Sequence, residues 1–442
     1  MVLLLKHLTR PETLLLLLWG SQVVRMAWPD PVMDLAGAGI AAAFILRVFV
    51  FLRRPTIVLC SALAAVAAVL IFLYGGPAAV LVGFKAAPMF AGFFGTIVLL
   101  RATGEQLRQI AQARALFERL EPDHRLGGFL VGSHLLAVVL GPGAYAITAP
   151  IIGRSKSEAE HLAAMRACHR GGGLAGLWSP FWIAMALSSQ YVPGVPLWHT
   201  MALGMSMAAC ALTASHVLYA PEPSIALLWR ALRSLHPIVP PVGVCVLTVA
   251  VLSGVTVLSG LEALIVSVPV LCALALLGKG RRAFVTAVAN TYRGTAHVGN
   301  EIAILTISLA LGGVIRHVFA QTGVTAWIGG LDLPAMAVIA IMIGGTAVGA
   351  LAGVHQVVSV SLLLTVFTEL PVRVAGVVLI ESTLAAWSCS SIIGLSAIMV
   401  ATATTMFRVP SERVILGPNL AFAALFATAA ILALSGVNAL LV

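Results

Sequence analysis

The chain has 442 residues, of which 60% are hydrophobic and 10% charged, and its mean hydropathy is +1.05. A soluble domain keeps roughly a quarter of its residues charged, so composition argues against a soluble enzyme or a nucleic-acid-binding module and for an all-α polytopic membrane protein. The net charge of +10 falls mostly in short loops, where Lys and Arg mark the cytoplasmic side of a membrane protein.

The first apolar run, residues 14–28, follows Lys6 and Arg10, which places the N-terminus inside; it reads as a spanning helix and not as a cleaved signal peptide. Asp30 and Asp34 then lie outside. Residues 35–52 return to Arg53-Arg54, residues 56–73 run out to the turn at Gly75-Gly76-Pro77, and residues 79–100 come back to Arg101. Between 102 and 125, charges alternate with Leu, Ile and Phe at helical spacing, the pattern of an amphipathic helix on the cytoplasmic surface.

The stretch 126–153 is apolar and is interrupted by Gly141-Pro142-Gly143, which a helix cannot pass through straight. Arg101, Arg108, Arg114, Arg119 and Arg125 precede it, and Arg154, Lys156, Arg166 and Arg170 follow. Two basic flanks put both ends on one side of the bilayer, so the segment is expected to enter and return as a helical hairpin. Its tip exposes backbone at membrane depth, which is tolerated only in protein or beside a watery cavity.

After a basic loop, residues 171–190 carry Ser179-Pro180 at their centre and predict a broken helix. Residues 198–219 return to an inside loop with Arg230, Arg233 and His236. Residues 238–258 and 261–277 form a pair, and 297–314 cross outward with Asn300 and Glu301 near the inner end. A second hairpin, 334–368, lies between Asp332 and Glu369, with Gly353 and His355 at its tip. Residues 371–404 are too long for one straight span and are expected to break near 387–391, and 415–442 complete the chain, ending outside.

The arrangement repeats. GPGAYAITAPII from Gly141 parallels GVHQVVSVSLLL from Gly353, and the neighbourhood of Trp178-Ser179 parallels that of Trp387-Ser388. Charge places the first hairpin as entering from the cytoplasm and the second from outside. The expectation is therefore an N-terminal helix (1–34), a first repeat (35–219), a cytoplasmic linker (220–237) and an inverted second repeat (238–442). That makes about eleven transmembrane helices and two re-entrant hairpins. Inverted repeats with broken helices are a secondary-transporter architecture.

This layout resembles the ion transporter superfamily, which contains the divalent anion:sodium symporters and the large membrane subunits of tripartite periplasmic transporters. Gly141-Pro142-Gly143 precedes Ala149-Pro150, and Gly353-Val354-His355 occupies the second tip. Trp178-Ser179-Pro180 and Ser388-Cys389-Ser390-Ser391 stand at the unwound positions. The resemblance implies an elevator-type carrier in the bacterial inner membrane, usually a dimer, whose transport domain slides against a fixed scaffold. Neither tip has the Ser-Asn-Thr that supplies sodium ligands in those symporters, which puts sodium coupling in question.

For an anionic substrate, carboxylate-like favoured, half-helix N-termini and hydroxyls supply positive potential without a buried bare charge. The candidate binding residues are Gly141, Pro142, Gly143, Ser179, Gly353, His355, Ser388, Ser390 and Ser391. Those for coupling to Na⁺ or H⁺ are Glu381, His355, His134 and Thr148, since an ionisable group inside a membrane is functional by default. Each has a plain alternative, a serine bonded to its own helix or a histidine serving packing. No cofactor is implied. Cys60, Cys168, Cys210, Cys245, Cys272 and Cys389 form no CxxC pair and read as core residues. HExxH, GxSxG and DxD are absent, against a membrane-embedded enzyme. A passive anion channel and a binding-protein-dependent tripartite subunit are the other readings.

Overall fold

A computed structural model describes residues 10–107, 125–153, 157–221, 223–234 and 239–442, with isolated positions between them. Lys6, Arg154, Lys156 and most of the expected amphipathic helix beyond Leu107 lie outside the described residues. Those described form helices and no strand. Among the described residues, nine helices are long and apolar enough to cross a membrane. The expected count was eleven. Three of those spans fall short, since the helices Pro11–Ala27 and Val239–Val255 have 17 residues each and the first broken helix is divided, while Arg125–Ile152, expected as a hairpin and not among the eleven, is one of the nine.

The chain forms two compact units, each drawing on both halves of the sequence. One gathers residues up to 106, 261–332 and 361–371; the other gathers 107–260, 333–360 and 372–442.

In the first unit, Asp30 starts the helix Pro31–Phe49 by accepting from Val32 N at 2.7 Å, with proline in the first turn. Arg25, the charge in the first apolar run, pairs with Asp34 at 3.1 Å. Helix Arg54–Tyr74 has a mean hydropathy of 2.8 and turns apolar side chains outward, Phe72 being 88% exposed. A surface of that kind is satisfied by lipid and not by water. Helices Leu81–Gly104 and Gly299–Thr322 meet backbone to backbone at Gly83, where a Cβ would strike Thr306 O and Ala310 N. Asn300, at the start of the latter helix, accepts from Arg53 N at 3.0 Å.

The second unit holds both hairpin tips and both broken helices. Arg125–Leu140 and Ala144–Ile152 are joined by a single tight turn, Gly141–Gly143, with Gly141 at φ +55°. The chain reverses there. Ser133 Oγ reaches Cys168 O at 2.8 Å and Thr148 Oγ1 reaches Cys168 Sγ at 3.1 Å, whereas a straight helix would hold Ser133 and Thr148 about 22 Å apart.

The first broken helix is longer than the sequence suggested. It runs Glu158–Leu174, opens at 178–182 and resumes as Ile183–Tyr191, so the basic loop expected up to Arg170 is helical from Glu158. Ser157 caps it by accepting from Glu160 N at 3.1 Å. Gly171, Gly172 and Gly173 weaken a helix by about 1 kcal/mol each relative to Ala. Their reason is packing: a Cβ would meet Leu130 O at the first, Tyr145 Oη (3.2 Å) and Met399 (2.9 Å) at the second, and Ile392 at the third.

In the second hairpin the arm Ala335–Leu351, which contains a π-turn at Ile341–Gly345, reverses at Gly353 (φ +88°) into Gln356–Glu369. The second broken helix corrects the expected break point. Gly376–Ile393 is continuous through Trp387 and Ser391, and opens only at 394–397 before Ile398–Phe407. No Gly or Pro lies between 377 and 393 to break the helix, and Ser382, Thr383 and Ser390 bond carbonyls one turn back. Gly394 ends it in an extended conformation, and Leu395 N turns to Ala350 O at 3.0 Å.

Candidate functional site

The site is assembled within the second unit, where each interruption is held by a different neighbour. At the first, three side chains reach one face of the first hairpin's leading arm. Trp178 Nε1 donates to His134 Nε2 (3.0 Å), Trp182 Nε1 to Ala137 O (2.9 Å) and Ser179 Oγ to Val138 O (2.5 Å). Positions 134, 137 and 138 share a helix face, so the break is stitched along that arm. Ser179 Oγ also accepts from Phe181 N at 3.1 Å.

An indole N–H can only donate, so His134 Nε2 is an acceptor and Nδ1 carries the proton given to Gly171 O at 3.1 Å. Both ring nitrogens of His134 are engaged. Thr148 Oγ1 also faces Ala144 O at 3.3 Å.

At the second break, Leu395 N and Ser396 Oγ bind the second tip through Ala350 O and Val354 O, each at 3.0 Å. On the other side His169 Nε2 donates to Ile392 O at 2.9 Å, and Tyr145 Oη donates to His169 Nδ1 at 2.8 Å. The first tip packs on Ile398–Phe407, with the Tyr145 and Phe407 rings 5.2 Å apart. One line of bonds thus joins the first hairpin, both broken helices and the second tip.

The expected site residues divide by this geometry. Gly141 is buried at the first tip, with Pro142 and Gly143 partly exposed. Gly353 is exposed at the second tip, and His355 is half-buried, its Nδ1 accepting from Val357 N at 3.3 Å as a cap on the return arm. Ser388, Ser390 and Ser391 lie in the last turns of Gly376–Ile393 and not in unwound chain. Ser390 bonds Ala386 O (2.9 Å) and Thr346 O (3.4 Å), while Ser388 and Ser391 are buried with no hydrogen-bond partner among the described residues.

Glu381 is fully buried with both carboxyl oxygens unpartnered. It lies two helical turns from Ser388 on the same face. A Cβ on Gly204 would stand 3.1 Å from Glu381 Oε1 and would strike Leu177 O, just before the first break. Among the described residues no three His, Cys, Asp or Glu cluster to hold a metal ion.

Tyr145, His169 and Arg170 were not singled out by sequence. His169 and Arg170 stand beside three glycines in what read as a topogenic loop. The available signal was the spacing Ala164, Cys168, Gly172, an apolar and small stripe at helical period.

No family model matches the chain, and no curated protein matches it. The crystal structure of the YdaH transporter of Alcanivorax borkumensis is similar to this one at a TM-score of 0.55. It is 15% identical in sequence, and the match covers 87% of this chain and 98% of that one. The fold is that of a helical membrane transporter. With nine long apolar helices, the protein is integral to a membrane.

Proposed function

We propose that the protein is a secondary active transporter of a small anion, carboxylate-like favoured, working as a dimer in a bacterial inner membrane by an elevator movement. The reading rests on one observation. A single compact unit contains both hairpin tips and both helix interruptions, joined through Tyr145, His169, Ile392 and Leu395. Paired interruptions of this kind leave backbone polar groups that irregular chain in a membrane does not otherwise keep. That each unit draws on both halves of the sequence supports inverted repeats which each contribute to a moving and a fixed part.

Coupling by protons is favoured over Na⁺. Glu381 has no partner among the described residues, and burying an unpaired carboxylate costs several kcal/mol, whereas a neutral acid is far cheaper. A group that takes a proton on one side and releases it on the other fits such a place.

Radiolabelled acetate, succinate and citrate, offered to proteoliposomes under an imposed pH or Na⁺ gradient, test this. The expected result is saturable, gradient-driven uptake of one of them. Glu381→Gln is expected to lower proton-driven uptake at least roughly tenfold, as loss of a functional proton-transfer group does, while substrate exchange at equal pH continues. Unitary currents without coupling would replace the carrier by a channel. Proton-driven uptake intact in Glu381→Gln would remove the carboxyl from the mechanism.

A further inference from the structure

A second polar feature of the same unit lies away from the breaks, where helices Arg125–Leu140, Leu197–Tyr219 and Pro418–Leu441 have their basic-loop ends. A cavity of about 320 Å³ opens there, walled by Leu126, Leu130, Arg166, Arg170, His216 and Tyr219. Arg170 is 3% exposed. Its Nε donates to Ser215 Oγ (2.8 Å) and its Nη1 to Asn419 Oδ1 (2.9 Å), and its guanidinium lies over the Tyr219 ring at 4.4 Å. Asn419 is itself oriented by donating to Val414 O at 2.7 Å.

All of these partners are neutral, and among the described residues none that lines the cavity is acidic. The nearest acidic residues along the same helix are engaged elsewhere, Glu160 with Arg125 and Glu158 with Arg413. Arg166 brings a second guanidinium, whose Nη2 donates to Arg413 O at 3.3 Å and whose Nε has no partner among the described residues. Buried charge is ordinarily matched by an opposite charge, and two guanidiniums on one cavity match a phosphate.

We propose that this cavity binds the phosphodiester headgroup of an anionic phospholipid. The remaining walls suit a lipid better than a soluble ion, because Leu126, Leu130 and the Tyr219 ring offer apolar surface beside the charge. The adjoining helix Ile225–Ser234 also points to lipid. It packs toward the hairpin, Leu228 standing 3.7 Å from a Cβ on Gly127, and it exposes Ile225 and Trp229 with Arg233 over the indole at 5.3 Å. Exposed apolar and basic groups on one short helix are those of an interfacial segment, and basic pockets between membrane helices hold anionic headgroups.

The test is binding to the full chain in uncharged detergent, followed by native mass spectrometry and thermal unfolding with phosphatidylglycerol, phosphatidylcholine or inorganic phosphate. Phosphatidylglycerol is expected to bind and raise the unfolding midpoint, phosphatidylcholine and phosphate to do neither. Arg166→Gln leaves the Ser215 and Asn419 bonds of Arg170 in place and is expected to weaken phosphatidylglycerol binding roughly tenfold, the effect of one charge-assisted bond, with its own midpoint kept. Arg170→Met is expected to abolish binding where it folds. Equal binding of the two lipids, or unchanged affinity in Arg166→Gln, overturns the proposal. A phosphate effect as large as that of phosphatidylglycerol assigns the cavity to a soluble oxyanion and overturns the lipid.

Discussion

In the first hairpin and broken helix, Ser133, His134, Thr148, His169, Ser179 and Ser188 all hydrogen-bond within the protein. In the second, Thr346, Gln356, Glu381, Ser388 and Ser391 each carry a buried oxygen without a partner among the described residues. The elements correspond, yet in the first pair those hydroxyls and imidazoles are bonded and the open groups are the guanidinium nitrogens Arg125 Nε and Arg166 Nε, whereas the second leaves buried oxygens open. A bonded hydroxyl holds a break in shape, whereas an unpartnered buried one is unfavourable by about 1–3 kcal/mol unless something else uses it. The difference is what the proposed function uses: bracing at the first break, and open groups from Glu381 to Ser391 that a ligand or proton would fill.

The closed half is where substitutions are expected to damage folding most. Gly171→Val drives a side chain into Leu130 O, which is backbone and has nowhere to go. A loss of at least about 3 kcal/mol is expected, at the upper end of overpacking effects, read as a lower unfolding midpoint and poor recovery of folded protein. Gly344→Ala, in the open half, has nothing within 4 Å of its new Cβ. It is expected to be neutral or to stabilise by up to about 1 kcal/mol through helix propensity. If the two variants unfold alike, the contrast in packing is wrong.

His169 comes next, because it joins the two halves. His169→Ala strands Tyr145 Oη and Ile392 O, for an expected loss of about 3 kcal/mol. Uptake per folded molecule is expected to fall with it, since Ile392 lies in the last turn before the second opening.

These residues also mark where sequence was readable. Gly-Pro-Gly at 141 and Ser-Pro at 179 announce their own interruptions, because proline and glycine act on the backbone whatever surrounds them. The second opening is a lone Gly394 whose effect depends on Ala350 O being there to receive Leu395 N. No local pattern states that, and Trp387-Ser388, the sequence counterpart of Trp178-Ser179, points to the wrong turn. His169 and Arg170 were hidden for a related reason. A basic residue next to a loop reads as topogenic charge until tertiary structure buries it. Glu381 needed no structure, since a carboxylate in an apolar run is conspicuous by itself.

The smallest expected effect separates the two halves most sharply. Ser179→Ala removes the donor to Val138 O and the acceptor for Phe181 N, so it is expected to lose about 2 kcal/mol of stability while the folded fraction transports normally. Ser388→Ala removes a hydroxyl with no partner among the described residues. It is expected to leave stability within about 0.5 kcal/mol, or to raise it, because a buried polar atom without a bond is replaced by an apolar one. If that face carries substrate or protons, uptake by Ser388→Ala falls even though its unfolding midpoint does not. Measured side by side, the pair distinguishes a hydroxyl that holds the fold from one that serves transport. A Ser388→Ala variant that loses stability as Ser179→Ala does, with uptake per folded molecule intact, would make both breaks structural and leave Glu381 alone on the proposed path.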